Sequence, residues 1–133
     1  MSYNIAINIK LKNNLNVSGN ENLIYDIANN LNSKYIYYDY ELEGVNKYIK
    51  KNNKIMIIEF ENNNDLYNFI KIIKTIKEII IDYIYYENNI IYGSKNYLNN
   101  LNDSFISKNE LINKIEKNKL NNNDFKNILN LIN

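Results

Sequence analysis

The sequence predicts an α+β fold in which an antiparallel sheet carries two helices on one face. Three observations point there. Tyr3 to Lys12 alternates apolar and polar side chains with period two. Lys54 to Glu61 (KIMIIEFE) is a strongly apolar strand pattern, followed at once by Asn62-Asn63-Asn64-Asp65 and a helix-like run to Glu78. Ile79 to Tyr86 (IIIDYIYY) then turns back through Glu87-Asn88-Asn89 into Ile90 to Gly93. Period two places alternate residues on opposite faces of a strand, whereas recurrence at three and four residues makes one stripe of a helix.

In chain order, the first strand puts Tyr3, Ile5, Ile7, Ile9 and Leu11 on one face and Asn4, Ala6, Asn8, Lys10 and Lys12 on the other, the pattern of a half-buried strand. Ser18-Gly19-Asn20-Glu21 reads as a capping box, in which a serine and a glutamate three residues on satisfy each other's amides. The helix it opens carries Leu23, Ile24, Ile27 and Leu31 on one stripe and fades near Asn32-Ser33. Lys34 to Glu43 (KYIYYDYELE) is a second, tyrosine-rich strand ended by Gly44, and Val45 to Lys51 forms a helical turn in the connection. In the third strand Met56, Ile58 and Phe60 oppose Ile55, Ile57, Glu59 and Glu61. Asn64 or Asp65 caps the next helix, whose Leu66, Phe69, Ile70 and Ile73 are its buried stripe, widened by Ile72 and Ile76. The fourth and fifth strands are a hairpin, since asparagine tolerates the left-handed geometry of a tight turn.

This order, β-α-β-β-α-β with an extra hairpin strand, is that of a ferredoxin-like sandwich. It spans residues 1–94. Residues 95–133 read as a helical extension packed on that domain: a short helix with Tyr97, Leu98 and Leu101, a helix opened by the capping box Ser107-Lys108-Asn109-Glu110, and a last helix from Asn123-Asp124 with Phe125, Ile128, Leu129 and Ile132. Two short amphipathic helices gain most of their stability by packing.

Composition narrows the chemistry. The 133 residues suit one domain with one core, with 45% hydrophobic and 23% charged residues. Asparagine, isoleucine, lysine and tyrosine dominate, all with codons built largely from A and T, so the Asn runs 62–64 and 121–123 read as loop filler from an AT-rich genome. There is no Cys, His, Trp, Pro or Arg. That removes the Ser-His-Asp triad, the cysteine nucleophile and the ordinary zinc site. Gly19, Gly44 and Gly93 stand alone, so no phosphate-cradling loop exists. No cofactor is expected. A net charge of +1 projects no strong field toward nucleic acid or membrane. The N-terminal MSYNIAINIK lacks the apolar core and cleavage pattern of a signal peptide, and no apolar run reaches the length of a membrane helix, so a cytoplasmic location is expected.

Two sets of residues stand out. Asp82 shares parity with Ile80 and Ile84, which places a carboxylate on the helix-covered side, bonded to a lysine or a tyrosine hydroxyl. On the opposite, open side the pattern gathers Tyr35, Tyr37, Asp39, Glu41, Ile57, Glu59, Tyr83 and Tyr85. Pairing residues 35–42 with 54–61 sets Glu59 opposite Tyr37 and Glu61 opposite Tyr35, with Asp39 and Glu41 at the other end of the pair, so the acids do not converge on a metal.

Ile57-Ile58-Glu59-Phe60-Glu61-Asn62 followed by a helix resembles the third strand and second helix of RNA-recognition motif domains, and the resemblance implies base stacking on that open face. Here the two stacking positions hold Ile55 and Ile57, the Lys-Gly opening of the motif is missing, and Asp39, Glu41, Glu59 and Glu61 make the face acidic. Tyrosines beside carboxylates suit a basic protein partner better. The expectation is a non-enzymatic binder, most concretely a small inhibitor of the immunity-protein type; a virus-encoded antagonist of a host factor would carry the same features. A second copy of the chain is a further candidate partner, and nucleic acid the disfavoured one.

Overall fold

The computed structural model describes residues 3–9, 17–38, 55–77, 79–87, 89–99 and 108–132. Its elements are β1 (Tyr3–Ile9), α1 (Val17–Asn30), β2 (Tyr35–Tyr38), β3 (Ile55–Phe60), α2 (Asn63–Ile73), β4 (Ile79–Tyr86), β5 (Asn89–Gly93), α3 (Lys95–Asn99), α4 (Lys108–Asn121) and α5 (Asn123–Ile132). The class is mixed α+β, with one open five-stranded antiparallel sheet in the order β2-β3-β1-β4-β5. The helical turn expected over Val45 to Lys51 and the second half of the strand expected over Lys34 to Glu43 lie outside the described residues.

The order explains the helices. Because every neighbouring pair is antiparallel, β1 and β2 run parallel with β3 between them, and β3 and β4 run parallel with β1 between them. A parallel return needs a crossover. The chain from β1 to β2 contains α1, and that from β3 to β4 contains α2. Both helices feed one core. Ile24 and Ala28 of α1 and Leu66, Phe69, Ile70 and Ile73 of α2 join Tyr3, Ile5 and Ile7 of β1 and Met56, Ile58 and Phe60 of β3. The Phe60 and Phe69 rings lie 5.1 Å apart.

Local chemistry sets the ends of these helices, not always where the sequence placed them. Asn62 caps α2, its Oδ1 accepting the Asp65 amide at 2.9 Å while its Nδ2 donates to Asp65 Oδ2 at 2.8 Å. The cap is therefore earlier than the expected Asn64 or Asp65, because Asp65 does better as the acceptor three residues inside. The helix stops at Ile73 and not near Glu78, so Ile76 packs on the core from beyond the helix. Ile72, expected to widen the buried stripe, is 43% exposed, and Leu23 of α1 is 44% exposed: each helix buries one stripe only. α1 starts at Val17, so Ser18 falls inside its first turn and does not precede it. At the other end of α1, Asn32 adopts φ 60, the Ser33 amide reaches the Ala28 carbonyl at 3.0 Å and the Asn32 amide the Asn29 carbonyl at 3.3 Å. This is a Schellman motif with asparagine where glycine usually stands.

The last helix, α5, belongs to the same core. Asn122 caps α5 by accepting the amides of Asp124 and Phe125 at 3.0 and 3.3 Å. The Phe125 ring then meets Tyr86 edge-on at 5.4 Å and Tyr3 at 6.3 Å, while Tyr3 and Tyr86 stack at 4.3 Å. Phe125 and Ile128 are buried in the cluster that α1 and α2 share. Burial, with the nearby charges of Tyr86, Asp124 and Glu87 adding to it, pushes the Tyr3 phenol up to about 12.

Two outcomes follow. Phe125→Ala should cost about 3–5 kcal/mol, read as a lower urea midpoint, and the helical and tyrosine circular-dichroism signals should still fall together in one transition. Asn32→Val should cost about 1–2 kcal/mol because a β-branched residue cannot hold a positive φ, whereas Asn32→Gly should leave the midpoint unchanged or raise it.

Candidate binding face of the sheet

The side of the sheet opposite the core is assembled by register. One row crosses all five strands: Tyr35 pairs with Glu59, Glu59 with Asn4, Asn4 with Tyr85, and Tyr85 with Ile90. A second row runs Tyr37, Ile57, Ala6, Tyr83 and Gly93. Both follow from the pleat, since their strand neighbours Ile36, Ile58, Ile5 and Ile84 all pack into the core.

The first row is open to solvent at one end. Tyr35 is 57% exposed, Glu59 and Tyr85 are half-buried, and Ile90 is buried at the other end. The pairing corrects the expected register by two residues: Tyr35, not Tyr37, opposes Glu59. At the rim, Lys34 Nζ reaches Glu61 at 3.2 Å and lies 5.7 Å from the Tyr35 ring centre. The hydrogen bond to Glu61 is the main reason that the Lys34 ammonium is held above its usual pKa. Glu59 forms no ion pair among the described residues. Asn4 Oδ1 is buried without a hydrogen-bond partner among the described residues.

The second row is covered at Ile57 and Tyr83. Tyr83 and Ile57 are fully buried, contrary to the expectation that both lie on an accessible surface. The reason at Tyr83 is α3, which lays the Tyr97 ring on it at 5.0 Å. Asp39 and Glu41, also expected here, lie outside the described residues, as does the side chain of Tyr37. The structure thus brings together Tyr35, Glu59 and Tyr85, and withdraws Ile57 and Tyr83.

What seats α3 is Asp82. The β1–β4 register slips between Ala6 and Ile7, which pair with Tyr83 and Ile81, so Asp82 is the extra residue of a β-bulge. The bulge reverses the parity of β4: Ile79 and Ile81 enter the core before it, and Ile84 after it. Asp82 therefore does not simply share a side with Ile80 and Ile84. Asp82 is 6% exposed, and among the described residues the hydrogen-bond partner of its carboxylate is neither a lysine nor a tyrosine hydroxyl but Ser94, whose Oγ donates to Oδ1 at 3.3 Å. The Ser94 amide donates to the Asp82 carbonyl at 2.7 Å, and Ser94 Oγ accepts the Tyr97 amide at 3.1 Å, capping α3. Burial pushes the Asp82 carboxyl pKa up, opposed by the Ser94 hydroxyl. Burial, and then the Asp82 charge, likewise raises the Tyr92 phenol. The signal missed at Ser94 is a serine directly preceding Lys95-Asn96-Tyr97, the place of a helix cap; the bulge had no such signal.

A cleft of about 120 Å³ lies beside α3, lined by Tyr92, Leu98, Ile112 and Ile115, with Glu116 and Lys119 also reaching it. It is smaller than the roughly 300 Å³ that a drug-sized ligand needs. Among the described residues no three acidic side chains gather where they could hold a metal, and no helix is long and apolar enough to cross a membrane. Compared with family models, curated proteins and solved structures, the chain matches none.

Gly93 tests the seating of α3. A Cβ there would stand 3.0 Å from the Tyr97 ring and 3.1–3.2 Å from the Leu98 side chain. Gly93→Ala should cost about 1–3 kcal/mol through overpacking, with the Tyr97 and Leu98 resonances moving most in an NMR comparison.

Proposed function

We propose that this chain is a non-enzymatic protein-binding module, an inhibitor of the immunity type that occupies a basic protein through Tyr35, Glu59 and Tyr85. The exposure of Tyr35 at the margin of the open face, directly across from Glu59, carries this reading. Tyrosine supplies a large, stiff, amphipathic anchor. Glu61 is engaged by Lys34, but Glu59 is left to answer a lysine or arginine from outside. We further infer that β1 to β4 with α1 and α2 form a ferredoxin-like unit, with β5 and the C-terminal helices added to it. The two interleaved parallel returns within an antiparallel sheet support that reading.

The test is capture from native lysate by wild type and by the double variant Tyr35→Ala/Glu59→Lys, identified by mass spectrometry and mapped by carboxylate–amine crosslinking. Wild type should retain a basic protein crosslinked at Glu59; the variant should lose it at least tenfold, with the melting temperature within a few degrees. Equal capture by both proteins rejects this face. Binding to single-stranded RNA that collapses as salt rises through counterion release would replace the reading with the nucleic-acid one.

A further inference from the structure

We propose that Asp82 is a proton-operated latch for α3: protonated, it keeps α3 seated over Tyr83, and ionised, it loosens that seat and uncovers Tyr83. The geometry carries this. Asp82 occupies a bulge, so its place in the strand is not fixed by the ladder to β1. Its carboxyl is buried, and its hydrogen-bond donor among the described side chains is the hydroxyl that also caps α3. Ser94 thus joins the carboxyl to α3 through one atom, and the backbone bond from Ser94 to the Asp82 carbonyl fixes the spacing. An ionised carboxylate in that place has lost its water and gained a single neutral donor, a poor exchange.

The groups around it do not offset the charge. β1 contributes Ala6 and Ile7 opposite the bulge, and β5 contributes the phenol of Tyr92. From α3 come the Tyr97 amide, bonded to Ser94, and Lys95, which is exposed. Among the described residues no lysine acts on the Asp82 carboxyl. The sign follows. Burial raises the carboxyl pKa in the seated state above its value when α3 is released, so protons favour the seated state. Stability of the seat is fully present below the ordinary carboxylate pKa of about 3.9. It falls as pH rises toward the raised value and is level above it. This holds whatever the open face binds.

Hydrogen exchange on the full chain reads it. The Tyr97 and Leu98 amides bond to the Ser94 hydroxyl and carbonyl, so both report release of α3. After division by the rates in Asp82→Asn, which removes the intrinsic pH dependence, their exchange in wild type should climb by up to about tenfold per pH unit within that window and flatten beyond it. The Asp82 carboxyl carbon, titrated by NMR in wild type, should show a midpoint above the ordinary range that coincides with the plateau. This second measurement stands even if Asp82→Asn does not fold. A wild-type to variant ratio that is flat with pH, or an Asp82 midpoint at the ordinary carboxylate value, overturns the latch.

Discussion

Tyr3, Ile5 and Ile7 on the central strand are the stripe on which the other layers depend. β1 has β3 on one side and β4 on the other, so its backbone is paired along both edges and its side chains have one apolar outlet. All three residues are buried. Covering that stripe is what orders α1 and α2, and Tyr3 also receives Phe125 from the far end of the chain. Non-directional burial of this kind accounts for most of the favourable free energy of a small domain. The caps, the Schellman turn and the Lys34–Glu61 pair choose where elements stop; they do not decide that the layers exist.

Much of this was legible because burial leaves a periodic trace. Tyr3, Ile5 and Ile7, then Met56, Ile58 and Phe60, and the stripe Leu66, Phe69, Ile70 and Ile73 are buried in the structure as their spacing indicates. What was not legible came from places where one residue breaks the count. The bulge at Asp82 leaves no mark in composition, yet it reverses which isoleucines of β4 enter the core. A shift of two residues between β2 and β3 keeps every side chain on its face, so the face could be read while the partners of Tyr35 and Tyr37 could not.

The open face shows a different limit. Alternation tells which side of a strand a residue occupies, but not what else comes to lie over it. Tyr83 was placed on the correct side, and it is buried there because a five-residue helix folds back across it. Tyr97 and Leu98 point to a short helix in the sequence but not to its place over Tyr83, where the Ser94 cap and the Tyr97 ring contact help to hold it. Seen this way, the candidate site is a remainder: the part of a tyrosine-rich surface that α3 does not reach.

The two margins of the sheet are unequal. α4 lies against β5, whereas among the described residues no strand lies outside the four residues of β2. Runaway strand-by-strand stacking of copies needs two receptive borders, one to give and one to receive. Among the described residues the sheet shows one such border, at β2, so a stack of copies built edge to edge would end at the second.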